Sequence, residues 1–89
     1  MTTPHVYETI EVRLLYFAQL RDRFGESELF SLPKGARGQD LMSRLGERIP
    51  SLVPLLKASR LAVNCEYADR DQVLQEGDEV AIILPVSGG

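Results

Sequence analysis

The sequence predicts an α+β fold, a mixed β-sheet with one main amphipathic helix packed on one face. Three stretches carry that reading. Residues 10–17 alternate as a strand, with Ile10, Val12, Leu14 and Tyr16 on one side. Leu41, Met42, Leu45 and Ile49 fall at i, i+1, i+4 and i+8, which is one apolar stripe along a helix. Residues 79–84 are nearly all apolar, as suits a strand buried at the centre of a sheet.

Taken in order, residues 1–9 are polar, contain Pro4 and show no periodicity, so they read as a flexible N-terminal extension. His5, the one histidine, lies there without partner ligands and is expected to be solvated. The second face of the first strand carries Glu11, Arg13, Leu15 and Phe17, beginning charged and ending apolar. Residues 18–24 hold helix formers and close at Gly25, giving a short helix or one irregular turn. Residues 27–32 form a second strand ended by Pro33, and the tight connection favours antiparallel pairing with the first. Residues 34–38 are a loop.

The main helix starts at Gln39, is weakened at Gly46 by ~1 kcal/mol relative to alanine, and stops at Pro50. Met42 reads as core filler. Residues 51–58 form another helical turn with Ser51 as its cap, Pro54 in its opening turn, and Leu55 and Leu56 turned inward. Residues 61–64 are a strand that leads into a polar hairpin or loop. Residues 72–74 are briefly extended, and residues 76–78 turn at Gly77, which supplies a positive φ. The first and last strands are the most apolar. They are therefore expected side by side in the middle of the sheet, and connection rules favour a parallel pair.

Composition narrows the function classes. A chain of 89 residues is one domain with one modest core. With 44% hydrophobic and 26% charged residues it is globular rather than disordered. A net charge of −3 disfavours nucleic acid, which needs a clustered basic face. Arg21 and Arg23 flank Asp22 and read as solvated helix positions. The single cysteine, Cys65, rules out an internal disulfide and offers no zinc spacing; it is expected to be an ordinary buried small residue. No positive run leads into an apolar stretch, and no apolar run approaches the ~20 residues that span a bilayer. The expected location is cytoplasmic, without nucleic-acid or membrane partners.

Residues 10–84 are thus the folded domain, and residues 85–89 are a flexible tail ending in Gly88 and Gly89. A terminal Gly-Gly carries a carboxylate on a stalk with no side chain to block entry into a narrow site. Its α-carbon is achiral, so activation of the carboxylate carries no risk of epimerisation. Extended, the tail reaches roughly 16–18 Å. The chain has no complete acid–base constellation of its own, so any chemistry at Gly89 needs catalytic groups from elsewhere. By strand parity Leu15 and Phe17 point to the sheet face that the helix leaves open, and Ile83, out of phase with Val80, Ile82 and Leu84, joins them. An apolar patch beside such a tail reads as a partner site.

Several segments resemble the small subunits of molybdopterin synthase: Val12 through Arg21 (VRLLYFAQLR), Ala62-Val63-Asn64, Gly77-Asp78-Glu79-Val80-Ala81, and Pro85-Val86-Ser87-Gly88-Gly89. The match runs from about residue 10 to the end in family order. The resemblance implies a ubiquitin-like β-grasp and a sulfur carrier in molybdenum cofactor biosynthesis. It implies that Gly89 is adenylated by a ubiquitin-activating-type enzyme and converted to a thiocarboxylate. ATP would be used by that enzyme, with no cofactor bound tightly and no metal held by this chain. Pro85, Val86, Ser87 and Gly88 would thread into the partner. Leu15, Phe17, Arg21, Tyr67 and Ile83 would bind the large subunit, in a heterotetramer of two small and two large subunits. Ile82-Ile83-Leu84 stands where aromatic residues are common in the family, and the N-terminal extension is not part of its usual core. Other readings of the same tail are a sulfur carrier for thiamin or a tungsten cofactor, a ubiquitin-like modifier, and a binding module with an inert end.

Overall fold

A computed structural model describes residues 8–16, 21–22 and 25–84. His5, Phe17, most of the expected turn at 18–24 and the tail at 85–89 lie outside the described residues. Arg21 and Asp22, the described part of that turn, are helical.

The elements run β1 (Thr9–Leu15), β2 (Ser27–Pro33), α1 (Gly38–Arg48), a 3₁₀ turn (Pro50–Leu52), α2 (Val53–Ala58), β3 (Arg60–Val63), β4 (Glu66–Ala68) and β5 (Glu79–Ile83). They build one mixed sheet in the order β2-β1-β5-β3-β4. β1 and β5 lie side by side and parallel, with Leu14 opposite Val80, as the two apolar runs predict. All other pairings are antiparallel. This is the ubiquitin-like β-grasp arrangement that the resemblance implies.

Alternation in β1 sends Ile10, Val12 and Leu14 inward, and Val80 and Ile82 do the same from β5. α1 lies on that face through Leu41, Met42 and Leu45. Leu41 and Leu45 are fully buried, so each contributes about 1.5–3 kcal/mol by removal from water. The sheet's other face is left uncovered among the described residues.

The boundaries differ from expectation at a few places, each for a local reason. β1 begins at Thr9, because the Glu8 carbonyl accepts the Lys34 N–H at 2.9 Å and their side chains form an ion pair. Ser51 does not cap a helix; Pro50 instead starts a 3₁₀ turn that continues into α2, with Pro54 in the opening turn as expected. Cys65 is exposed rather than buried. It sits with Asn64 at the tip of the β3–β4 hairpin, and both take positive φ, 50° and 71°. A two-residue turn of this hand matches the twist of its flanking strands and turns its tip to solvent.

Gly46, which weakens the helix in isolation, is buried where Val53 and Leu56 pack against α1. A Cβ there would stand 3.1 Å from Val53 Cγ2. Gly38 is tighter still: a Cβ would come within 2.2 Å of Leu61 Cδ2 and 3.3 Å of the Arg70 carbonyl oxygen. The loop after β4 is strapped across this point. Gly38 donates to the Gln72 carbonyl at 3.0 Å, Gln39 to Arg70 at 2.7 Å, and Leu74 to Ala36 at 2.9 Å.

Candidate functional site

Strand parity and register together define the open face. Leu15 lies opposite Ala81, Ala81 opposite Ala62, and Ala62 opposite Tyr67, across four strands. Residues paired across a sheet share a face, so these four form one row. The two alanines at the middle of that row are small, and larger side chains stand around them. The result is an apolar groove of about 270 Å³, floored by Ala62 and Ala81 and walled by Leu15, Ile83 and Tyr67, with Cys65 and Glu79 at its margin. A larger hollow of about 530 Å³ lies beside α1 between Lys34, Asp40, Arg44 and Glu47. Its lining is charged and mixed in sign, so the smaller apolar groove is the better candidate for a buried contact.

Three residues expected on the partner face meet in the groove: Leu15, Tyr67 and Ile83. Leu15 and Ile83 are half-buried and Tyr67 is 62% exposed, a large apolar surface for a solitary domain. Arg21 does not line it; its guanidinium pairs with Glu26 at 2.7 Å on the surface. Phe17, Gly89 and the threading residues Pro85, Val86, Ser87 and Gly88 lie outside the described residues. Ala62, Cys65, Glu79 and Ala81 were not anticipated. The signal for the alanines was the same parity that singled out Ile83, but register is needed to bring them together.

Next to Leu15, on the helix-covered face at the β1–β2 edge, lies a polar network. On the opposite side of β1 from Leu15, Tyr16 is 1% exposed, and its hydroxyl donates to the Glu28 carboxylate. Arg48, in the last turn of α1, donates to Glu28 Oε1 at 2.6 Å and Oε2 at 3.1 Å, and reaches the Tyr16 hydroxyl at 3.1 Å. Burial pushes the Tyr16 phenol up to about 12, and the neighbouring carboxylate adds to that. Arg48 holds the Glu28 carboxyl below its usual range, and Glu28 in turn raises the guanidinium. Arg48 also lies over the Phe30 ring, 5.5 Å from its centroid.

The far end of the groove is set by the segments around Asn64 and Asp78. Asn64 donates to Asp78 Oδ1 at 2.9 Å and accepts the Glu79 N–H at 3.0 Å, fixing the entry into β5. Asp78 also accepts the Gln75 N–H at 2.8 Å, closing the turn in which Gly77 has φ 85°. The Gly-Asp-Glu segment is therefore a structural clamp that sets where β5 begins. Among the described residues no group of three or more His, Cys, Asp or Glu could hold a metal ion. No helix among them is long and apolar enough to cross a membrane.

Comparisons with known proteins identify the family. The ThiS family model matches residues 14–89. The molybdopterin synthase sulfur carrier subunit of Chlamydomonas reinhardtii is 39% identical over 83 residues, covering 90% of this chain and all of that protein. Among solved structures, molybdopterin converting factor subunit 1 from Pyrococcus furiosus superposes with a TM-score of 0.76 at 30% identity, over 86% of this chain and 99% of that one. A complex of subunits 1 and 2 of the molybdopterin-converting factor from Helicobacter pylori matches at a TM-score of 0.61 and 20% identity, over 90% of this chain and all of that one, a likeness of fold.

Proposed function

The chain belongs to the ThiS family, and on that premise we propose that it is the sulfur carrier subunit of molybdopterin synthase in molybdenum cofactor biosynthesis. The observation that carries the reading is the reach of the family match. It runs from residue 14 in β1 to residue 89, and so takes in both the strands that wall the groove and the Gly-Gly end.

In this reading Gly89 is the reacting residue. A carboxylate is a poor electrophile, because its charge repels nucleophiles and oxide leaves badly. An activating enzyme of the ubiquitin-activating type joins the Gly89 carboxylate to the AMP part of ATP, with release of pyrophosphate. A sulfur nucleophile then displaces AMP and leaves a thiocarboxylate. The large synthase subunit receives the tail, with Gly88 as its unhindered neighbour, and uses that sulfur to build the dithiolene on a cyclic pyranopterin precursor. Pro85, Val86 and Ser87 span the distance between the fold and the partner's site. The carrier supplies the sulfur and its positioning, and the partners supply acids, bases and nucleotide. The reaction sequence belongs in the cytoplasm.

The groove supports the docking half of this reading. It is apolar, walled by Leu15, Ile83 and Tyr67, and runs along β5, the strand that precedes the tail in the chain. The Helicobacter pylori complex is a fold relative in which subunits 1 and 2 are held together. An assembly of two small and two large subunits follows from the same family reading.

Intact-mass analysis tests it. Incubation with the activating enzyme, ATP and a sulfur source is expected to exchange one oxygen for sulfur at Gly89. No mass change under conditions that thiolate a relative would rule the reading out. So would cofactor production undiminished by removal of Gly88 and Gly89. High-mass conjugates joined to lysine through Gly89 would mark the chain as a protein modifier instead.

A further inference from the structure

Arg60 opens β3 opposite Ile83, the last residue of β5. It shares strand parity with Ala62, so it stands on the open face with Tyr67, which pairs with Ala62. Its guanidinium carbon lies 3.8 Å from the centre of the Tyr67 ring. Both residues are exposed.

Arg60 differs from several other arginines of this acidic chain. Arg48 is matched to Glu28 and Arg21 to Glu26. Arg70 donates to the carbonyls of Leu56, Lys57 and Ser59 at the end of α2. Arg60 forms no ion pair among the described residues. Charges of opposite sign flank the apolar groove: Arg60, just outside its lining, stands opposite Ile83 at the end of β5, and Glu79 stands in the lining at the start of that strand.

We propose that Arg60, held over the Tyr67 ring, is the charge-recognition contact of the groove and receives a carboxylate of the synthase large subunit at the end of β5. This rests on the reading that the large subunit docks on this face. A guanidinium whose carbon sits over a ring leaves N–H donors free at its edge, and its planar fork matches a carboxylate. The ring also restricts the side chain before the partner arrives, which lowers the ordering cost of binding. Arginine and tyrosine are among the residue types enriched at the energetic hot spots of protein interfaces. The complementary surface is an aspartate or glutamate beside an apolar side chain that enters the hollow over Ala62 and Ala81. A charge at that place fixes the register of docking and speeds encounter.

The test uses the full chain and the large subunit, with affinity and association rate measured at low and high salt. Arg60→Glu is expected to weaken binding at least about tenfold at low salt, mainly through slower association, and to flatten the salt dependence. Arg60→Lys is expected to recover part of the loss, since it keeps the charge and lacks the planar fork. Thermal melts confirm that each variant is folded. If Arg60→Glu binds like wild type at both salts while Ile83→Asp does not bind, the assignment of Arg60 is overturned and the docking reading stands. If Ile83→Asp also binds like wild type, the docking reading itself falls, and this assignment with it. A salt-dependent self-association that Arg60→Glu abolishes, with large-subunit affinity unchanged, would give the contact to a second copy of this chain and overturn the proposal.

Discussion

Arg48 grips both carboxylate oxygens of Glu28, at 2.6 and 3.1 Å, and thereby ties the last turn of α1 to the edge strand β2 over the buried Tyr16 hydroxyl. The pair is partly exposed, with side-chain accessibilities of 42% for Arg48 and 32% for Glu28, so solvent tempers its strength. Its two-point geometry and the phenol beneath still make it worth more than an ordinary surface pair.

Removing one partner strands the others. Glu28→Gln or Arg48→Ala is expected to lower stability by about 1–2 kcal/mol in denaturant titrations. Arg48→Ala and Glu28→Ala combined should cost less than the sum of the two single changes, which a double-mutant cycle reads directly.

Acid acts through the same pair. Arg48 lowers the Glu28 carboxyl below its unfolded value of 4.5, so the unfolded chain takes up this proton first as pH falls. The stabilisation is complete above that value and is lost as pH drops through the lower folded one. Stability measured across the acid range should fall less steeply in Glu28→Gln than in wild type.

Alkali acts through Tyr16. Its phenol is raised from 10.0 to about 12, so the unfolded chain loses this proton first. The contribution, on the order of 2–3 kcal/mol, is present below pH 10 and disappears between 10 and about 12. A tyrosinate absorbance step near the upper value, absent in Tyr16→Phe, would establish it. Ionisation of all tyrosines near 10 in the native protein would refute it.

Gly38 has no room for a methyl group. Gly38→Ala places a Cβ 2.2 Å from Cδ2 of the buried Leu61, so that side chain must shift within the core, and the Arg70 carbonyl oxygen stands 3.3 Å away on the backbone side. A loss of about 1–3 kcal/mol is expected from thermal or chemical melts, and a variant as stable as wild type would show that the packing there is looser than described.

Asn64 offers a finer test of the β5 clamp. Asn64→Gly keeps a residue that accepts positive φ and removes the bonds to Asp78 and Glu79. About 1–2 kcal/mol should be lost, with faster amide exchange at Glu79. An unchanged exchange rate there would show that the side chain does not hold the strand entry.

Most of the fold could be read from the chain because its signals are local. The alternation of residues 10–15 and the apolar run of residues 80–84 mark the two central strands without reference to anything else. The stripe through Leu41 and Leu45 marks α1 in the same way. The groove was only half visible. Leu15 and Ile83 follow from parity, whereas Ala62 and Ala81 gain meaning when register sets them opposite each other. Cys65 is exposed against expectation because hairpin tips are defined by backbone dihedrals that a cysteine does not announce. The Glu28–Arg48 pair joins residues 20 apart, a separation that no periodicity records.

The placement of β5 between β1 and β3 has a mechanical consequence. A pull on the C-terminal end runs along a strand bonded on both sides, to Arg13–Leu15 of one neighbour and Arg60–Val63 of the other. Such a load shears many hydrogen bonds together instead of peeling them one at a time. A machine hauling on that end would therefore load the β1–β5 seam in shear from the outset.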